Sequence, residues 1–124
     1  MAKKKSRRKL IKELDILFSK IVRHGGKCSR CGSRIKVQCA HVFSRRNMSV
    51  RWDFDNALPL CWRCHFWWAH KEPVEFNDYI RERMGLQAFY NLKARRLLVA
   101  QWTQSELLAL KDEFKETIRG QNDA

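Results

Sequence analysis

Residues 28–70 read CSRCGSRIKVQCAHVFSRRNMSVRWDFDNALPLCWRCHFWWAH, and this stretch decides how the 124-residue chain folds. It contains all five cysteines and three of the four histidines. Four of the cysteines form two C-x-x-C pairs, Cys28 with Cys31 and Cys61 with Cys64. Four soft sulfur ligands suit a tetrahedral zinc, and a closed shell of four thiolates is a structural centre, not a catalytic one. A small buried hydrophobe explains a lone cysteine but not two pairs at this spacing. The pairs are separated by 29 residues, more than a compact zinc-ribbon loop needs, so a further unit is inserted between the knuckles. The fifth cysteine, Cys39, is expected to be a small buried residue beneath that unit.

Within the insertion, "IKVQCAHVF" has the character of a strand, with Val37, Cys39, His41 and Phe43 on one face. "SRRNMS" is a polar loop, and "VRWDFDN" suggests a short strand followed by a turn. The second cysteine pair opens a short helix that should end before Pro73. Outside the insertion the pattern is helical. Leu10, Leu14, Leu17, Phe18 and Ile21 recur at helical spacing and predict a helix over about 8–24, stopped by Gly25 and Gly26. Pro73 suits the first turn of a helix reaching Met84, with Gly85 as its stop, and another helical segment spans about 86–99. Thr103 and Glu106 form a capping box for a last helix, expected to end at Gly120. The fold class is therefore α+β: one domain over 10–124, with a zinc-stapled core over 27–72 flanked by helices, behind a basic tail over 1–9.

The formal charge is +13, and removing the six cations of residues 3–9 leaves +7 on the rest of the chain. Four thiolates on zinc would lower the total to about +11. A body this basic points to a polyanion as partner, and nucleic acid is the usual one. Five cysteines with no secretory hydrophobic leader argue against a disulfide framework, and no apolar run approaches the roughly 20 residues that span a bilayer. The expectation is a cytoplasmic protein without membrane contact.

Taken together, Ala40-His41, Asn56 and "NALPLCWRCH" resemble the HNH nucleases, the zinc-knuckle branch of the ββα-metal endonucleases, in which an Asn opens a segment N-x-x-x-L-C-x-x-C-H. "CSRCG", "AHVFSRR" and "RWDFDN" look most like the phage NinG/Rap-type recombination nucleases, over about residues 28–85. The resemblance implies a ββα-metal core, a DNA partner with branched or recombination DNA as the substrate it points to, and a bacterial or phage-infected host cell. It implies His41 as general base, for which an imidazole pKa near 6.5 is suited. Asn56 would orient His41 or hold the loop that does. His65 would bind a catalytic divalent ion (Mg²⁺, Mn²⁺ or Ni²⁺), and the products would carry 5′-phosphate and 3′-hydroxyl ends. Many members carry an Asp ligand just before the first His, where this chain has Ala40. Asp53 or Asp55 is an alternative carboxylate. His70 is the other candidate, provided the helix ends or bulges before it, because five residues of a regular helix set the two rings about 140° apart.

Arg45, Arg46 and Arg51 interrupt the segment between His41 and Asn56 and are candidates for DNA phosphate contacts. Trp62, Phe66, Trp67 and Trp68 are expected mostly as packing core, with one exposed ring able to stack on an unpaired base. The competing reading is a zinc-stapled nucleic-acid-binding module without catalysis. Both a monomer and a homodimer are compatible with the chain.

Overall fold

The computed structural model of the chain describes residues 6–123. Lys3, Lys4 and Lys5 of the basic tail lie outside the described residues. Helix α1, Arg7–Val22, starts earlier than the apolar pattern implies, because the Ser6 hydroxyl accepts the Lys9 N–H (3.2 Å) as an N-cap. Arg7, Arg8 and Lys9 are thus the first turn of α1 and not part of a tail. Strands β1, Gln38–His41, and β2, Ala57–Leu60, form an antiparallel pair. A π-helical segment, Arg63–Ala69, follows. Then come α2, Pro73–Met84, α3, Leu86–Arg96, and α4, Gln104–Asp123. The chain is α+β, as its patterning implies.

Strand β1 is shorter than the apolar run around it. Lys36 takes a left-handed conformation (φ 49°), which breaks the extended run before Gln38. The polar turn over 44–47 ends it on the other side, so Phe43 leaves the face of Cys39 and His41 and packs instead near Phe89 (6.2 Å). The second strand is not in "VRWDFDN", which folds into turns and a 3₁₀ turn, Phe54–Asn56. It is the next segment, "ALPL", despite its proline. Pro59 lies opposite Cys39, and its carbonyl points outward to accept the Ser29 N–H at 2.9 Å. At such a non-hydrogen-bonded position the missing proline N–H costs the ladder nothing.

The hairpin separates two cores. On one side Leu10, Leu14, Phe18 and Ile21 of α1 meet Leu107 and Phe114 of α4, together with Trp52. On the other, Ala40, Leu58 and Leu60 meet Cys28, Cys61 and Cys64, Trp68 and Ala69, Ile80 of α2 and Phe89 of α3. The alternation of β1 thus sends Cys39 towards α1 and Ala40 towards the second core. Gly85 (φ 86°, ψ 153°) joins α2 to α3 in a conformation essentially reserved for glycine. The capping box is present, with Glu106 accepting the Thr103 N–H (3.0 Å) and Thr103 accepting the Glu106 N–H (3.1 Å). Gly120 does not end α4, which runs on to Asp123; one exposed glycine costs a helix only about 1 kcal/mol.

Asp15 ties α1 to the loop after β1. Its carboxylate accepts two bonds from Arg51 (3.0 and 2.6 Å) and one from the Trp52 indole (2.9 Å), and Arg45 lies at 3.5 Å. Asp15→Ala should lower unfolding stability by about 2–3 kcal/mol, because it strands a mostly buried guanidinium and an indole N–H. Urea titration measures this, and an unchanged midpoint would show that the network contributes nothing.

Candidate metal centre and histidine cleft

The two knuckles meet as their spacing implies. The sulfurs of Cys28, Cys31, Cys61 and Cys64 all lie within 4.8 Å of one another, with Cys31 and Cys61 at 3.6 Å. Zinc–sulfur bonds of about 2.3 Å in a tetrahedron would place sulfurs about 3.8 Å apart, so the cluster can hold a structural metal such as zinc. The first knuckle is anchored to the hairpin through the Ser29 hydroxyl and N–H, both donating to the Pro59 carbonyl, and to α2 through the Tyr79 hydroxyl, which donates to the Ser29 carbonyl (3.0 Å). Burial opposes ionisation of Cys28, but the backbone N–H groups of Cys31, Cys61 and Arg30 around its sulfur bring its pKa down to about 6. Burial pushes Cys64 up to about 12 despite the Arg30 guanidinium at 3.7 Å, and the neighbouring cysteine side chains add to the rise. For Cys64, packing against the other sulfurs without a cation therefore works against ionisation, which a divalent ion would reverse. Cys39 takes no part. It packs against the α1 core, where burial raises its thiol to about 11.

The hairpin, α1, the π segment and α2 enclose a cleft of about 880 Å³ lined by His41, His65 and His70. His41, at the end of β1, packs against Phe18 (ring centroids 5.8 Å) and donates Nε2–H to the Arg51 carbonyl (3.3 Å). This tautomer leaves the lone pair on Nδ1. Burial depresses the His41 pKa below the ordinary imidazole value, and Arg45 and Arg51 add to the effect against the Arg51 carbonyl and Asp15. His65 is held by Gln38, with Nδ1–H donating to the side-chain oxygen at 2.7 Å, so its Nε2 keeps its lone pair. Burial, then the charges of His70 and His41, lower its pKa also.

His70 stands close to His65, and the regular-helix expectation does not apply. The intervening segment is wound as a π-helix, whose i to i+5 repeat puts residues five apart on one side. The two rings meet edge to face at 4.8 Å. Asp53 and Asp55 do not supply a carboxylate. They pair with Arg95 of α3 at 2.8 and 3.0 Å and do not line the cleft.

Asn56 does not bond to His41 directly. Fully buried, it donates to the Phe43 and Val50 carbonyls (3.0 Å each) and accepts the Phe43 N–H (2.8 Å), clamping both ends of the loop over 43–50. The Arg51 carbonyl that receives His41 follows directly on that loop. The guanidinium of Arg51 is held by Asp15 and the Arg45 carbonyl, whereas Arg45 and Arg46 are exposed. Of the four aromatic residues on the second knuckle and π segment, only Trp68 is core; Trp62, Phe66 and Trp67 face solvent.

Sequence reasoning missed Gln38 and Asp15. Gln38 was detectable in principle, two residues before Ala40 on the strand face that looks towards the π segment. Asp15 lies one helical turn after Ile11, on the apolar stripe of α1, where an acid needs a partner. No family model matches this chain, and no match is found among curated proteins or solved structures.

Cys61→Ser should bring bound zinc to well below one ion per chain and abolish the cooperative melting transition, read by metal analysis beside thermal denaturation. A zinc-free variant with unchanged melting would contradict a structural metal. Asn56→Ala should cost about 3–4 kcal/mol, since it removes three buried hydrogen bonds and leaves their backbone partners unmatched.

Proposed function

We propose that this chain is a metal-dependent DNA endonuclease of the HNH, ββα-metal type, with a four-cysteine zinc staple. The observation that carries the reading is the convergence of His41, His65 and His70 in one cleft, each of the first two with its tautomer fixed by a hydrogen bond.

His41 acts as the base. Its Nδ1 lone pair takes the proton from a water that attacks the phosphorus, while the Arg51 carbonyl holds the ring and shares the positive charge that develops. Asn56 positions the base at one remove, by fixing the loop that leads to that carbonyl. His65 and His70 would hold the catalytic ion, with the rest of its coordination left to water and phosphate oxygens. When bound, a divalent ion supplies Lewis-acid stabilisation of the phosphate and of the leaving 3′ oxygen. A pair of imidazoles without a carboxylate suits Mn²⁺ or Ni²⁺ better than Mg²⁺. Arg45 and Arg46, exposed on the loop beside the cleft, contact flanking phosphates, supported by the basic charge of the whole chain. Branched or recombination DNA is the substrate to which the resemblance in residues 28–85 points.

One observation favours the non-catalytic nucleic-acid-binding reading. The one acid among the residues lining the cleft is Asp15, and its oxygens are engaged by Arg51 and Trp52.

His41→Ala should reduce nicking of plasmid or four-way DNA in Mn²⁺ by about 10²–10⁴-fold while leaving zinc content and melting nearly unchanged. Equal cleavage by variant and wild type would remove His41 from the chemistry. The pH profile carries a second expectation. The active form of His41 is neutral and its pKa is depressed, so the cleavage rate should rise with pH through a midpoint below pH 6.5 and then level off. A rate still climbing well above that pH, at constant zinc content, would point to a different base.

A further inference from the structure

The rings that leave the core on the π segment are ordered. Trp62, Phe66 and Trp67 are 40%, 53% and 52% exposed, a concentration of apolar surface that soluble proteins seldom leave uncovered without a use. Trp62 and Phe66 stack at 6.0 Å and 18°, and Phe66 and His70 at 5.9 Å and 10°, so three rings lie nearly parallel in a row. Trp67 stands edge-on to Trp62 at 6.2 Å, with the Lys71 ammonium 3.8 Å from its ring. The row ends at His70, which lines the histidine cleft. On the other flank Trp67, Arg30 and Arg63 line a second cavity of about 580 Å³, where the Arg30 guanidinium lies 3.9 Å over Trp68.

Parallel rings with cations at their edges match what an unpaired strand offers, namely base faces to stack on and phosphates to neutralise. A duplex hides its base faces, and a second copy of this chain would set Arg63 and Lys71 among like charges. We propose that the Trp62–Phe66–His70 row, with Trp67 beside it, is a stacking platform for unpaired bases of a single strand whose backbone continues into the histidine cleft. The site would thus select DNA with a single-stranded segment next to the cut. The position of the cut rests on the nuclease reading, but the base-binding surface does not.

Fluorescence anisotropy tests it without cleavage, using zinc-loaded protein with no other divalent ion. The probes are a thymidine oligonucleotide, an abasic strand of equal length and a matched duplex. Wild type should bind the thymidine strand about tenfold or more tighter than the abasic strand, which has the same phosphates but no rings to stack. A Trp62→Ala/Phe66→Ala double variant should lose that preference while keeping its zinc content and its affinity for duplex. Trp62→Phe/Phe66→Tyr should retain it. Equal binding of the thymidine and abasic strands by wild type overturns the proposal, as does a preference that survives in the double alanine variant. If that variant instead dissociates a dimer in sedimentation and keeps its base preference, the rings are a self-association surface and the proposal is likewise overturned. A protein that shows the preference but cuts no DNA would retain the platform and lose the nuclease.

Discussion

Everything near the histidine cleft depends on the closing of the Cys28/Cys31 and Cys61/Cys64 knuckles onto one another. The hairpin between them has only four residues in each strand and cannot stand alone in water. The first knuckle is fixed to β2 through Ser29 and Pro59, and the second continues directly from β2 into the π segment. Four sulfurs drawn together by a metal would therefore fix the angle between β1, which carries His41, and the segment that carries His65 and His70. The two cores on either side then hold that angle, one through α1 and α4 and the other through α2 and α3.

The π winding of Arg63–Ala69 is the second constraint. Its wide turn lets Cys64, Trp68 and Ala69 all face the core. The same winding sets His65 beside His70 on the cleft side and leaves Trp62, Phe66 and Trp67 outside. An ordinary α-helix could not direct His65 and His70 to one point. The His65–His70 pair and the exposed ring row thus have one geometric origin.

The four-cysteine cluster, α1, α2 and the capping box of α4 were legible in the sequence, because each follows from local spacing or a terminal signal, whereas Cys39, expected to be buried, is only partly so. Strand β2 was not. Its proline argues against a strand unless the outward direction of Pro59 is known, and that depends on Ser29, 30 residues away in sequence. The pairing of His70 with His65 was also hidden, since the sequence carries no marker of π winding. Arg51 looked like a phosphate ligand because its partner, Asp15, lies on a helix 36 residues earlier. For Asn56 the sequence leaves two roles open, orienting His41 or holding the loop that does, and only the tertiary contacts to Phe43 and Val50 distinguish them. No helix among the described residues is long and apolar enough to cross a membrane.

The activity proposed for the histidine cleft is hydrolysis of a phosphodiester bond at the 3′ oxygen. The most direct measurement is the chemistry of the ends it leaves. Zinc-loaded protein would be incubated with end-labelled branched DNA in Mn²⁺, and the products offered to DNA ligase before and after phosphatase treatment. The expected result is cleavage to 5′-phosphate and 3′-hydroxyl ends that ligase can reseal until the phosphate is removed. Intact DNA at full zinc occupancy, or products bearing a 3′-phosphate, would contradict it.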